Sequence, residues 1–112
     1  MDSFVVDEDL LNIDGTKISF EHKIRDAIAF NEIVVVRLEI PTNAVQNRNV
    51  VGVDETGTRR WTIPEAPNGS TEDNPYMDIY ASNGELWAGT WHGMAYRVDV
   101  DTGELLDKEF RK

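Results

Sequence analysis

Between Tyr76 and Asp99 the chain gathers the side chains most suited to holding a ligand: Tyr80, Trp87, Trp91, His92 and Arg97. Aromatic faces stack on sugars, planar molecules and peptide groups, and a guanidinium adds a fixed cation beside them. If one face of the local structure is open, these five residues form an aromatic platform with a basic edge. The competing reading is that the tryptophans fill a core between sheets. His92 precedes Gly93. A general-acid role would need a partner within hydrogen-bond reach, and the sequence identifies none. An exposed turn histidine is the plainer reading, as for His22 between Glu21 and Lys23. Asp99-x-Asp101-x-Gly103-Glu104 spaces oxygen ligands at alternate positions, as calcium loops do. It is shorter than an EF-hand loop and lacks the distal glutamate, so a turn accounts for it better than a metal. No serine lies in a Gly-x-Ser-x-Gly context, no glycine-rich phosphate loop occurs, and cysteine is absent. No catalytic constellation stands out. The expectation leans away from an enzyme, with no cofactor and no metal.

These residues need strands to position them. Turn signals recur every eight to twelve residues along the chain, separating short apolar runs. Asp14-Gly15 lies between Leu10–Ile13 and Lys17–Glu21, and Asn83-Gly84 lies between Tyr76–Ser82 and Glu85–Trp91. Both dipeptides favour a tight hairpin. Ile24–Phe30 carries the best helical spacing, but it is short and uncapped, and it reads as a strand paired with Glu32–Ile40. Val50–Asp54 with Thr58–Ile63, and Met94–Val100 with Glu104–Leu106, complete the hairpins, and Phe4–Val6 adds one strand more. Two longer connections, Pro41–Asn49 and the proline-rich Pro64–Pro75, interrupt the rhythm. On strand alternation, Trp87, Gly89 and Trp91 share a face, and Ala95, Arg97 and Asp99 lie opposite Met94, Tyr96 and Val98. The expected fold is all-β, an antiparallel meander of about ten short strands.

At 112 residues the chain is sized for a single domain. It is 40% hydrophobic with a net charge of -10. That balance gives it a core and repels phosphate backbones and anionic lipid, so neither nucleic acid nor membrane is an expected partner. Acids are dispersed over the whole length, and arginine outnumbers lysine. This resembles the surfaces of proteins from salt-loving archaea, where high salt screens self-repulsion. An ordinary acidic cytosolic protein is the alternative. The sequence opens without a basic region or an apolar run of signal length, so a cytoplasmic location is the expectation.

Three segments align on an aspartate followed closely by a glycine: Asp14-Gly15, Asp54 to Gly57, and Asp99 to Gly103. The aspartates sit 40 and then 45 residues apart, within the range of four-stranded propeller blades. The aspartate accepts backbone N–H bonds across the turn and the glycine takes a positive φ. The aromatic after the turn, Phe20 or Trp61, is expected to pack between neighbouring sheets. Gly84 to Gly103, with Gly89-Thr90, His92-Gly93, Tyr96 and Asp99-x-x-Thr102-Gly103, resembles one repeat of the quinoprotein-type (PQQ-like) β-propellers. A looser copy spans Ile33 to Trp61, and Asp107 stands where that family usually has tryptophan. The resemblance implies one domain of two and a half blade-like repeats, about 1–22, 23–63 and 76–110. It says little about chemistry, and bound quinone is not implied. The pattern also resembles short microbial proteins of similar length that carry no established activity.

A propeller closes with about four blades or more, so these sheets must fold on one another or be completed by another chain. The first expectation for function is therefore a non-enzymatic module that binds a protein or peptide at a sheet edge or at the Pro64 loop. The alternatives are a small-ligand site on the aromatic platform, with hydrolysis as an extension, and a subunit of an oligomeric propeller.

Overall fold

The computed structural model describes residues 4–44, 46–67, 74–91 and 93–110. Among them eleven strands follow in chain order: β1 (Phe4–Asp7), β2 (Leu10–Ile13), β3 (Thr16–Ser19), β4 (Ile24–Phe30), β5 (Ile33–Leu38), β6 (Val50–Asp54), β7 (Arg59–Thr62), β8 (Tyr76–Ser82), β9 (Glu85–Thr90), β10 (Met94–Val98) and β11 (Leu105–Phe110). They form three sheets ordered β1-β2-β3, β4-β5-β6-β7 and β8-β9-β10-β11. Every neighbouring pair is antiparallel. This is the all-β meander that the turn spacing implies.

Local chemistry sets the hairpins. Asp14 and Gly15 both adopt positive φ (49° and 94°), as do Asn83 and Gly84 (53° and 77°). Two left-handed residues in succession make the type I′ turn, whose twist matches that of the flanking strands. The turns fix Ile13 opposite Thr16 and Ser82 opposite Glu85. The helix-like spacing in β4 has another cause. Its register with β5 shifts between Ile24 and Asp26. That bulge inverts the alternation, so Ile24 and Ala27 pack on one side of the sheet while Ile28 and Phe30 pack on the other.

Two cores follow from stacking the second sheet between the other two. Val34, Val36, Leu38, Val51 and Val53 meet Leu11, Ile13 and Phe20 of the first sheet. Ile33, Val35, Val50, Trp61 and Ile63 meet Tyr76, Ile79, Leu86, Ala88, Tyr96 and Val98 of the third. All six residues of β5 are buried because both of its faces are covered. The near-continuous run Ile33–Leu38 is the sequence mark of such a strand. Among the described residues no further sheet covers the outer faces of the first and third sheets.

Candidate functional site

The third sheet is held by hairpin β8–β9 and by the turn from Asp99 to Glu104. In that turn Asp99 Oδ1 accepts the backbone N–H groups of Asp101 (2.8 Å) and Thr102 (3.3 Å), and the Gly103 N–H bonds the Asp99 carbonyl at 2.7 Å. Leu86, Ala88, Tyr96 and Val98 are buried on the face toward the second sheet. Alternation therefore turns Trp87 and Arg97 outward. The register places Tyr80 opposite Trp87, Trp87 opposite Arg97 and Arg97 opposite Asp107. Three of the five platform residues thus stand on one cross-strand rung of the open face, where direct neighbours are close enough for aromatic contact. Arg97 Nη1 also lies 3.4 Å from Glu85 Oε2. Trp91 follows the end of β9 and is 78% exposed. His92 lies outside the described residues. The rung can offer two aromatic faces and a guanidinium, flanked by Glu85 and Asp107.

The equivalent rung of the second sheet looks entirely different. Gly52, two residues before Asp54, lies opposite Trp61, four residues after Gly57. Arg97 and Asp107 keep the same offsets from Asp99 and Gly103. The indole of Trp61 fits between two glycines. A Cβ on Gly52 would come 2.3 Å from the ring, and one on Gly103 would come 2.6 Å from it. Trp61 Nε1 donates to the Val100 carbonyl at 2.6 Å. Where the second sheet receives its neighbour with a buried indole, the third presents an arginine and an acid to water.

A further cleft, of about 470 Å³, opens where three turns converge. Phe30 to Ile33 from the β4–β5 turn, Asp54 to Thr56, Arg60, Val100 and Asp101 line it. Asp54 is committed to its own turn. Its Oδ1 accepts the Thr56 hydroxyl (2.6 Å) and the N–H groups of Thr56 and Thr58, while Arg60 lies 3.4 Å from Oδ2. The Thr56 hydroxyl is the chief reason its carboxyl is held below the usual aspartate range. In the first sheet Gly15 donates its N–H to Asn12 Oδ1 (2.8 Å), while Asp14 supplies the left-handed turn residue. Among the described residues no three His, Asp or Glu side chains gather around a point where a metal could sit.

Sequence reasoning passed over the polar residues that bind the third sheet to the second. Asn49 is 1% exposed. Its Nδ2 donates to the carbonyls of Leu38 (3.1 Å) and Tyr76 (3.0 Å), and its Oδ1 accepts the Tyr76 N–H at 2.9 Å. Arg37, also buried, bonds Asp26 Oδ2 within the second sheet at 2.6 Å and donates through Nη1 to the Tyr76 carbonyl of the third at 3.5 Å. Asn47 Oδ1 accepts the Asn74 N–H, and the Tyr76 hydroxyl donates to the Pro64 carbonyl, both at 2.8 Å. The one available signal was the high amide content of the Pro41–Asn49 connection. A loop rich in asparagine reads as solvated until its partners are known.

Comparison with solved structures shows that these sheets resemble the blades of β-propellers. BamB from Moraxella catarrhalis matches with a TM-score of 0.62 at 12% identity, over 98% of this chain and 35% of that one. The computationally designed Ika8 protein matches with a TM-score of 0.56 at 12% identity, over 97% of this chain and 36% of that one. The chain thus spans about a third of the length of either structure, and likeness at this identity concerns the fold alone. No curated protein matches the sequence. The family model described as "Domain of unknown function (DUF7957)" matches residues 1–110, and the chain belongs to that family.

Proposed function

We propose that this member of the DUF7957 family is a non-enzymatic binding module that takes an extended protein or peptide segment along a free strand edge. The supporting observation is where its exposed apolar side chains lie. Of the six large hydrophobic residues exposed among the described residues, five sit on edge strands: Val5 and Val6 on β1, Met77 on β8, and Leu106 and Phe110 on β11. An edge strand offers unpaired N–H and C=O groups, and exposed apolar residues give an incoming strand something to bury. Beside β11 a shallow groove of about 310 Å³ is lined by Pro67, Tyr96 and Leu105 to Lys108. The stacked sheets supply a rigid support, so little ordering cost falls on the acceptor side.

Selection of a random peptide library against the immobilised protein tests this reading. Extended binders that alter amide exchange at β1 or β11 are the expected outcome. Binders that leave both edges unchanged sink it. A second reading, recognition of a saccharide or planar molecule, is favoured by the shared rung of Tyr80, Trp87 and Arg97. It requires that Trp87→Ala abolish binding of such a ligand while the edge variants do not. The third reading, a subunit of an oligomeric propeller, loses support from the rung of Arg97 and Asp107, which gives a fourth sheet no indole to receive.

The cellular setting belongs to the same proposal: a salt-rich cytoplasm. With a net charge of -10, screening by molar KCl relieves self-repulsion. The melting temperature should therefore fall as KCl is lowered to about 0.1 M, where the screening length grows to roughly 10 Å. A rise on dilution would contradict it.

A further inference from the structure

The three sheets are built to one plan, and the first is short by one strand. Hydrogen bonds fix the correspondence. Ile24, at the start of β4, donates its N–H to the Glu8 carbonyl at 2.9 Å, as Tyr76, at the start of β8, donates to Asn49 Oδ1. Phe20 N–H bonds the Asp9 carbonyl at 2.9 Å, as Ile63 N–H bonds that of Val50. A Cβ on Gly57 would meet Thr16 and Ile18 of β3, as one on Gly103 would meet Trp61 of β7. Hence β1, β2 and β3 correspond to β5, β6 and β7, and to β9, β10 and β11. Among the described residues the first sheet has no counterpart of β4 or β8, and the edge of β1 stands open where that strand would lie.

From this vacancy we infer that the first sheet accepts a strand from a partner protein, of stated chemistry: basic at its start and apolar at alternate positions after that. The inference rests on the edge-binding reading and names which edge and which segment. The second sheet is the template. There β4 runs antiparallel to β5, with Phe30 opposite Ile33 and Ile28 opposite Val35. By correspondence, Phe4 and Val6 of β1 take the places of Ile33 and Val35. An incoming strand therefore puts apolar side chains opposite Phe4 and Val6, on the side facing β4. Its start falls opposite Asp7 and the turn residues Glu8 and Asp9, all exposed. In the second sheet that end carries the pair Asp26 on β4 with Arg37 on β5. On β1 the acceptor side is acidic instead, so the partner must supply the cation. A second copy of this chain is the poorer occupant, since two bodies each of charge -10 repel.

The probe is a synthetic peptide of two lysines followed by alternating valine and threonine, with a twin that begins with two glutamates. Both are titrated at the lowest KCl that keeps the fold. The lysine-led peptide should bind one to one, slow amide exchange at Val5 and Val6, and bind about tenfold more tightly than its twin, a factor worth about 1.4 kcal/mol. Asp7→Lys with Asp9→Lys, at exposed positions, should reverse that preference, with circular dichroism confirming an intact fold. Unchanged preference in this variant overturns the inference. A footprint on Leu106 to Phe110 with β1 unaltered also overturns it, yet leaves the edge-binding reading standing. Protection of β1 that rises with protein concentration and without peptide assigns the edge to a second copy, which again overturns it. Binding of neither peptide at millimolar concentration removes the β1 site, and the library selection then decides the broader reading on its own.

Discussion

The two interfaces of the sheet stack solve one problem by different means. Between the first and second sheets the contact is mostly aliphatic: Leu11, Ile13, Val34, Val36, Leu38, Val51 and Val53, with Phe20 at the margin under the Arg59 guanidinium, 4.5 Å from the ring centroid. The buried end of β4 is docked there by backbone alone, Ile24 N–H to the Glu8 carbonyl, while Arg59 adds exposed contacts to the Ser19 carbonyl (3.3 Å) and to Glu21 (3.4 Å). Between the second and third sheets lie Trp61, Tyr76 and Tyr96, and side chains supply the links. Connection length explains the contrast. The β1–β2 turn is two residues long, so its own carbonyl reaches the start of β4. The β5–β6 connection runs from residue 39 to 49, and the amide of Asn49 stands in for that carbonyl. A tight turn docks its neighbour with backbone groups that any sequence possesses. A long one needs a particular side chain, buried and fully bonded.

Trp61→Ala puts the contrast to its hardest test. It removes the largest side chain between the second and third sheets and its bond to Val100, so a loss of about 4 kcal/mol in urea unfolding is expected. Faster amide exchange in β10 and β11 than in β2 would show that the interface gives way locally. Equal loosening everywhere would mean that the two interfaces are not separable.

Asn49→Ala should come next, at about 3 kcal/mol, because it strands the buried N–H of Tyr76 and removes its bonds to the carbonyls of Leu38 and Tyr76, the latter left with only the 3.5 Å contact from Arg37. A loss below about 1 kcal/mol, the worth of an ordinary hydrogen bond, would show that the asparagine is not the anchor described here. Ile13→Val, in the aliphatic interface, should cost only about 1 kcal/mol, read from the same unfolding curves.

The smallest effect is Tyr76→Phe, which forfeits the bond to the Pro64 carbonyl, about 1 kcal/mol. It also changes the alkaline limb. Burial pushes the Tyr76 hydroxyl well above its ordinary value of 10.0. The neutral phenol is favoured in the fold, so its contribution is complete below pH 10 and is lost as the pH rises above that value. Melting temperature should fall less steeply above pH 10 in the variant than in the parent. Parallel curves would mean that Tyr76 does not govern that limb.

How much could be read beforehand divides along the same line. Hairpin turns at Asp14-Gly15 and Asn83-Gly84 are local chemistry, and the meander follows from them. The faces of Trp87 and Arg97 follow from alternation, and the structure adds the rung shared with Tyr80. Counting from the aspartates pairs Phe20 with Trp61, but space pairs Ile18 with Trp61 and Phe20 with Ile63. The first hairpin has a two-residue turn, and counting from aspartates misses the difference. The helical spacing in β4 comes from a bulge between Ile24 and Asp26, set by the pairing of Asp26 with Arg37 and not by the strand's own pattern.

The sequence by itself determined strands, turns and the two-residue alternation, because φ preferences and side-chain direction depend on a residue and its immediate neighbours. The tertiary structure alone decided which faces are covered, since that depends on sheets distant in the chain. It made Asn49 a buried anchor, placed Trp61 between two glycines, left Trp87 and Arg97 on an open face, and exposed the edge of β1. Burial is a property of the assembled stack, and the free energy of a polar group depends on it more than on the identity of the group.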